Sequence, residues 1–149
     1  MLRCTYLNKF TDGDTAMTNA TYTQDTGAWL RALTYAQRSS TLVSDSTTPA
    51  ADLVRQGIQG YISADGVSGY GVSPDGELVG LFSTVKGRGD ELVESAKANG
   101  AWRLDCFDGY LVRLYSKHGF EEYNRVPNWT QGAADVVFMA LMYMKGGKV

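Results

Sequence analysis

The feature of this sequence that most restricts its fold is an apolar segment that runs through a glycine-containing turn into a helical pattern. Residues 78–82 are nearly all apolar, which is typical of a central strand covered on both faces. Residues 84–90 follow and contain two glycines. From 89 to 99, apolar residues recur at helical spacing. The segment therefore predicts a buried strand, a tight loop and a helix that begins directly after the loop.

The rest of the chain also alternates between helical and extended patterns. Further helices are predicted at 26–38 (with Thr26 as cap), 50–56 and 109–118. Strands are predicted at 1–10, 61–63, 67–72, 78–85, 101–107, 120–126 and 136–143. Two hairpin turns are marked by Asp65-Gly66 and by Pro74-Asp75-Gly76. This order predicts one α/β domain, in which helices flank a mixed, mostly antiparallel sheet.

The composition limits the classes of function. A chain of 149 residues fits one domain, and its formal net charge is only -2. Duplex-DNA binders usually carry a basic excess, so nucleic acid is not favoured as a partner. No apolar run is long enough for a membrane span or a signal peptide, which favours a cytoplasmic location. Cys4 and Cys106 lack metal-ligand spacing and are interpreted as free thiols, so no metal site is predicted.

The loop at 84–90 has the features of an anion site. Successive N–H groups at a helix N-terminus attract negative charge, and the helix dipole adds to this attraction. Gly87 and Gly89 let the backbone approach a pyrophosphate without obstruction, and Lys86 and Arg88 add positive charge. A tight strand-to-helix turn that needs glycine only for its geometry is the alternative interpretation.

A second feature lies further along the chain. The helix predicted at 109–118 carries Leu114-Tyr115, and Gly119-Phe120 then leads into a strand. Tyrosine has an unperturbed pKa of about 10, which suits Tyr115 to donate a proton to a thiolate leaving group. A core tyrosine is the alternative. His118 is interpreted as a favourable charge at a helix C-terminus rather than as a catalytic residue.

Together these two features resemble the GNAT (Gcn5-related N-acetyltransferase) family. The family's pyrophosphate loop, Gln/Arg-x-x-Gly-x-Gly/Ala, is matched by 84–89, with Thr84 in place of Gln or Arg. Its later signature is an Asn, a helix that ends in Leu-Tyr, and then Gly-Phe. Residues 114–120 match this signature, and Asp108 stands at the position of the Asn. Residues 135–139 are similar to the last strand of small phage-encoded members.

The resemblance implies one GNAT-like domain over 1–149, with 1–59 on the acceptor side and 60–149 binding CoA. Acetyl-CoA, as co-substrate, would lie in a notch where strands 78–85 and 101–107 splay apart. Backbone groups of the first strand would pair with the pantetheine, and the amides of 86–90 would hold the pyrophosphate. The residues implied to contact the cofactor are Phe82, Ser83, Val85, Lys86, Gly87, Arg88, Gly89, Asp90 and Asp108.

The function implied is transfer of an acetyl group from acetyl-CoA to a primary amine by direct attack on the thioester. Tyr115 would be the acid and Glu77 the base, although Glu77 could also be a solvated residue after a turn, with a water chain as base. The acceptor amine could belong to a small molecule or to a protein. Aromatic residues that could line its pocket, or simply pack in the core, are Trp29, Tyr35, Tyr61, Tyr70 and Trp129.

Two other classes of function stay open at the level of sequence. The chain could keep the fold as a binding or assembly protein without turnover, which the departures at Thr84 and Asp108 favour. It could also be a plain α/β interaction module whose glycines only form turns. The apolar residues at 136–144 could pair across a homodimer.

Overall fold

The fold is described by a computed structural model over residues 21–39, Leu53 and residues 56–142. The strands are β1 Tyr22–Gln24, β2 Gln59–Ser63, β3 Ser68–Val72, β4 Leu78–Ser83, β5 Arg103–Phe107, β6 Phe120–Val126 and β7 Val136–Leu141. The helices among these residues are α1 Thr26–Ser39, α2 Gly89–Ala98 and α3 Tyr110–Lys117.

The predicted order of elements is confirmed for the part of the chain that the structure describes. The helices predicted at 26–38, 89–99 and 109–118 are α1, α2 and α3, each with bounds that differ by a residue or less at either end. Strand β1 was not predicted, because its three residues are too few to show a period. The strand predicted at 1–10 and most of the helix predicted at 50–56 lie outside the described residues.

The strands form two antiparallel sheets. The first has the order β1-β2-β3-β4 and the second the order β5-β7-β6. A single parallel bridge between Glu77 and Arg103 joins them, at the point where β4 and β5 begin. The predicted fold class is therefore confirmed: the sheet is mostly antiparallel and becomes mixed only at the β4–β5 junction.

The helices cover the two sides of these sheets. On one side, here called the α1 side, Trp29 and Leu33 of α1 pack against Ile62, Val79 and Phe82. On the opposite side, the α2–α3 side, the two shorter helices pack over both sheets in one continuous core. That core includes Tyr70, Leu81, Leu92, Val93, Leu104, Cys106, Leu114, Tyr115, Phe120, Val137 and Met139.

Trp29 holds α1 against the first sheet by packing onto glycines. Its side chain is fully buried, and a Cβ added at Gly60, Gly71 or Gly80 would lie 2.3–2.7 Å from its ring atoms. Its indole N–H donates to the carbonyl oxygen of Gly80 at 3.3 Å. These glycines therefore form the floor on which the largest side chain of the α1 side lies.

Candidate functional site

A notch between β4 and β5 is the central feature of the site. The amides of Trp102 and Arg103 donate to the carbonyl oxygen of Gly76 at 2.9 and 3.3 Å, which closes the notch where the two strands begin. Among the described residues, and beyond the Glu77–Arg103 bridge, β4 pairs only with β3 and β5 only with β7. Two parallel strands thus separate toward their carboxyl ends and leave backbone groups of both facing the gap.

A β-bulge in β4 changes which groups face the notch. Gly69 pairs with Phe82 and Gly71 with Val79, so two residues, Gly80 and Leu81, lie opposite the single residue Tyr70. Gly80 has φ +58°, a left-handed conformation that side chains disfavour, which is typical of a bulge. A bulge of this kind bends the strand and increases its local twist.

The backbone of Ser83, rather than that of Phe82, faces the notch. The amide of Thr84 donates to the carbonyl oxygen of Val67 at 2.9 Å, and hydrogen-bonding direction alternates along an antiparallel strand. Phe82 therefore directs its amide and carbonyl toward β3, and Ser83 directs them toward β5. Val85 is held by the Ser83 hydroxyl, which donates to its carbonyl at 2.6 Å and accepts from its amide at 3.1 Å.

The loop after β4 opens directly onto the N-terminus of α2. Gly87 has φ +85°, so the turn requires glycine at this position. Arg88 is the N-cap of α2 and makes no capping hydrogen bond with its side chain. Because the first amides of a helix have no partner within the helix, this end of α2 presents N–H groups at the open end of the notch. Lys86 is exposed beside them.

Arg88 does not add its charge to this loop in the way that the sequence suggested. Its guanidinium donates to Asp65 at 2.9 Å and to the Ser68 hydroxyl at 3.0 Å, and only 11% of its side chain is exposed. The hydrogen bonds from Arg88 hold the pKa of Asp65 well below its usual range. Arg88 therefore anchors the loop to the β2–β3 turn, and its backbone amide is the part that remains at the helix N-terminus.

The acidic first turn of α2 is neutralised by the end of α3. His118 contacts Asp90 through Nε2 at 2.8 Å and Glu94 through Nδ1 at 2.5 Å, and Lys117 lies 3.3 Å from Asp90. Burial would raise the pKa of Asp90, but hydrogen bonds from His118 and Lys117 outweigh it and lower that pKa. The interpretation of His118 as a helix C-terminal charge is thus incomplete, because its contacts join α3 to α2.

Tyr115 lies in the core on the α2–α3 side. Its side chain is fully buried, and its ring meets the Phe120 ring edge-on with centroids 5.8 Å apart. The neighbouring core contains Leu81 from β4 and Cys106 from β5. The structure therefore places Tyr115 in the core, which was the alternative interpretation of this residue.

Glu77 lies on the other side of the sheet, at the closed end of the notch. It is 5% exposed, which makes the interpretation as a solvated residue after a turn wrong. Its Oε1 is 3.6 Å from Nη1 of Arg103, and Arg103 also contacts Asp75 at 2.6 Å. The hydrogen bonds of the 73–77 turn hold its backbone: its amide donates to the Ser73 hydroxyl at 2.8 Å. Glu77 and Tyr115 therefore lie on opposite sides of the sheet.

Asp108 is at the open end of the notch, directly after β5. Its carboxylate accepts from Arg125 at 2.8 Å, and its amide donates to the carbonyl oxygen of Asp135 at 2.9 Å. Arg125 also contacts Asp135 and Glu122, and these hydrogen bonds raise the pKa of its guanidinium. Where the family carries a neutral Asn, this chain therefore carries a carboxylate that is paired with an arginine.

Asp105 is a buried carboxylate that the sequence analysis did not select. It is 7% exposed and lies on the face of β5 opposite Leu104 and Cys106. The alternation of β5 places Arg103 and Asp105 together on the α1 side. Its signal in the sequence was a charged residue between two apolar ones, Leu104 and Cys106. Of the aromatic residues considered for an acceptor pocket, Trp29, Tyr61 and Tyr70 are core residues, while Tyr35 and Trp129 are exposed.

Solved structures of acetyltransferases share this arrangement of elements. A GNAT superfamily phosphinothricin acetyltransferase from Sinorhizobium meliloti, in complex with AcCoA, has a TM-score of 0.53 and 21% identity over 82% of this chain and 87% of its own. Ard1 from Thermoplasma volcanium has a TM-score of 0.51 and 20% identity, covering 80% of this chain and 95% of its own. An IAA acetyltransferase from Bacillus cereus has a TM-score of 0.51 and 17% identity, covering 83% of this chain and 99% of its own.

The fold of this chain is therefore that of the GNAT acetyltransferases. No family profile matches the sequence, and no curated protein matches it. In the part of the chain that the structure describes, no helix is both long enough and apolar enough to span a membrane.

Proposed function

We propose that this chain is an N-acetyltransferase that transfers an acetyl group from acetyl-CoA to a primary amine. One observation carries the proposal: β4 and β5 separate after a single bridge, and the uncapped N-terminus of α2 lies at the open end of the gap. A strand gap offers backbone partners to an extended pantetheine, and a helix N-terminus suits a pyrophosphate. The phosphinothricin acetyltransferase of the same fold was solved with AcCoA.

The amides of residues 86–90 are proposed to hold the pyrophosphate, with Lys86 adding charge. This role uses the backbone of Gly87, Arg88, Gly89 and Asp90, because the side chains of Arg88 and Asp90 are paired elsewhere. The inward-facing backbone of Ser83 would then bind the pantetheine, with Phe82 and Val85 shaping the strand end. Asp108 would border the cofactor at the end of β5.

In the proposed reaction, the amine nitrogen attacks the thioester carbonyl carbon. A C–N bond forms, the C–S bond breaks, and the electron pair of that bond remains on sulfur. Glu77, on the α1 side, takes the proton that the amine loses, and Tyr115, on the α2–α3 side, gives a proton to the thiolate. Acid and base thus act from opposite sides of the sheet, and the remaining contribution of the protein is to align the two reactants.

Calorimetric titration of acetyl-CoA tests the cofactor site. Gly89→Glu places a carboxylate at the first residue of α2 and should weaken binding by at least about tenfold, through the charge at the helix N-terminus. Ala98→Glu is the matched control, because it adds the same charge at the exposed far end of the same helix, about 14 Å away. It should leave affinity unchanged. Absence of acetyl-CoA binding to the wild type would refute the proposal.

Turnover separates the roles of the two proposed catalytic residues. Tyr115→Phe keeps the buried ring and removes only the hydroxyl, so it should lower kcat about 100-fold while acetyl-CoA still binds. Glu77→Gln should lower kcat most strongly below neutral pH, because little of the amine is unprotonated there. A Tyr115→Phe variant with unchanged kcat would eliminate Tyr115 as the acid.

A further inference from the structure

The end of α3 places one imidazole ring between two carboxylates of α2. Nε2 of His118 lies 2.8 Å from Oδ1 of Asp90, and Nδ1 lies 2.5 Å from Oε2 of Glu94. Asp90 and Glu94 are one helical turn apart, so their side chains lie on the same face of α2. Only 11% of the His118 side chain is exposed. His118, Asp90 and Glu94 are here called the His118 cluster.

The contacts at both ring nitrogens indicate the protonated form of His118. A neutral imidazole has one N–H donor and one nitrogen that can only accept, and an ionised carboxylate can only accept. A neutral ring could therefore bond one of the two carboxylates and would direct a lone pair at the other. The imidazolium donates from both nitrogens, and hydrogen bonds between ionised partners are the strong ones. The His118 cluster is thus complementary to the charged form of the ring.

Both carboxylates of the cluster are held in their ionised form. Burial raises the pKa of Asp90 and that of Glu94, but in each case hydrogen bonds from His118 and from a lysine outweigh it and lower the pKa. Lys117 lies 3.3 Å from Asp90, and Lys97 lies 3.3 Å from Glu94. Lys97 also donates to the carbonyl oxygen of His118 at 2.8 Å. Among the described residues, these two lysines are the other charged groups in contact with the cluster.

The His118 cluster lies beside the proposed pyrophosphate site. Asp90 is the second residue of α2, and its amide belongs to the group proposed to hold the pyrophosphate. Carboxylates in the first turn of a helix are attracted to its N-terminal amides, so they compete with an anionic ligand and also repel it. Asp90 and Glu91 both belong to that turn. The imidazolium of His118 offsets this negative charge and holds the Asp90 carboxylate against the end of α3.

We propose that His118 is a positioning residue of the pyrophosphate site: as an imidazolium it holds and neutralises Asp90 and Glu94, and acetyl-CoA binding weakens when the ring loses its proton. This inference rests on the proposed acetyl-CoA site and adds a pH dependence to it. Histidine is the side chain whose charge changes between about pH 5 and pH 8. Because the cation is present at low pH, acetyl-CoA should bind most tightly there and more weakly as pH rises.

Calorimetric titration of acetyl-CoA at two pH values tests the inference. From about pH 6 to about pH 9, the Kd of the wild type divided by that of His118→Arg should rise about threefold to tenfold. Arginine keeps its charge at both values, and ionisation of acetyl-CoA itself affects both proteins equally, so the ratio isolates the charge of His118. His118→Gln, which carries no charge, should bind weakly at both values. A ratio that does not change with pH overturns the inference.

Removal of the two carboxylates gives a second test that leaves His118 in place. The double variant Asp90→Asn/Glu94→Gln lacks the negative charge that the imidazolium offsets. At the higher pH it should therefore bind acetyl-CoA at least as tightly as the wild type does at the lower pH. Asp75→Asn/Glu121→Gln is the matched control, because it removes the same charge from two exposed carboxylates outside α2. It should keep the pH dependence of the wild type.

Failure of this inference can be told apart from failure of the proposed function. Absence of acetyl-CoA binding to the wild type at both pH values refutes the proposed function. Binding that is equally tight in the wild type and in His118→Gln at the lower pH overturns the role of His118 and leaves the cofactor site standing. If His118→Arg does not fold, as judged by its thermal transition, the wild type and the two double variants still decide. Binding by Asp90→Asn/Glu94→Gln that weakens with pH as much as in the control then contradicts the inference.

Discussion

The contact between Trp29 and Gly60 gives a prediction whose magnitude follows from the packing. Trp29 is fully buried, and removal of such a side chain costs about 3–5 kcal/mol of unfolding free energy. For a chain of this size, that loss corresponds to a fall in Tm of roughly 10 °C. Trp29→Ala should therefore be strongly destabilising, because it leaves a cavity over a glycine floor that cannot fill it.

Substitution of Gly60 tests whether the Trp29 ring is the reason that this position requires glycine. A Cβ at Gly60 would lie 2.3 Å from Cε3, 2.6 Å from Cδ2 and 2.8 Å from Cβ of Trp29. Gly60→Ala alone should cost about 2–3 kcal/mol by overpacking. In the Trp29→Ala background the two ring contacts disappear and only the Cβ contact remains. The same substitution should then cost less than half as much, a coupling of at least about 1 kcal/mol.

Urea denaturation followed by far-UV circular dichroism measures all four members of this double-mutant cycle. Gly27→Ala is the control, because its Cβ would meet only the tip of Arg31 at 3.4 Å and Asp25 at 3.8 Å. It should be neutral or slightly stabilising, since alanine loses less backbone entropy than glycine in a helix. If the losses of unfolding free energy caused by Trp29→Ala and Gly60→Ala are simply additive in the double variant, the explanation that the Trp29 ring requires glycine at position 60 is refuted.

Three further predictions concern charged and reactive groups. Asp65→Asn should cost less than about 1 kcal/mol at neutral pH, because half of the Asp65 side chain is exposed beside Arg88. Since the folded-state pKa of Asp65 is lowered, its contribution is present above the unfolded-state pKa of about 3.9 and lost as pH falls; urea midpoints of wild type and variant should therefore converge in acid. His118→Ala should raise the pKa of Asp90, which carboxyl NMR titration measures; an unchanged value would show that His118 does not lower it. Burial raises the pKa of the Cys106 thiol, so iodoacetamide at pH 8 should label Cys106 only after denaturation, as peptide mass spectrometry can show.

The sequence was sufficient for the described elements other than β1, and for the kind of loop at 84–90. Strand β4 is apolar from Leu78 to Phe82 and α2 follows it with helical spacing, and both patterns depend only on neighbours along the chain. Gly87 could be recognised for the same reason, since its φ of +85° is a local requirement. The roles of Phe82 and Ser83 could not be separated, because the β-bulge depends on pairing with β3.

The tertiary structure decided which residues the charged side chains pair with. Arg88 pairs with Asp65, and His118 with Asp90 and Glu94, across 23 to 28 positions of sequence. No local pattern marks such partners, because a side chain pairs with whatever the packing of other elements brings near it. The sequence by itself therefore determined the order of most elements and the local turns, and the packing of those elements decided which charged side chains pair with one another.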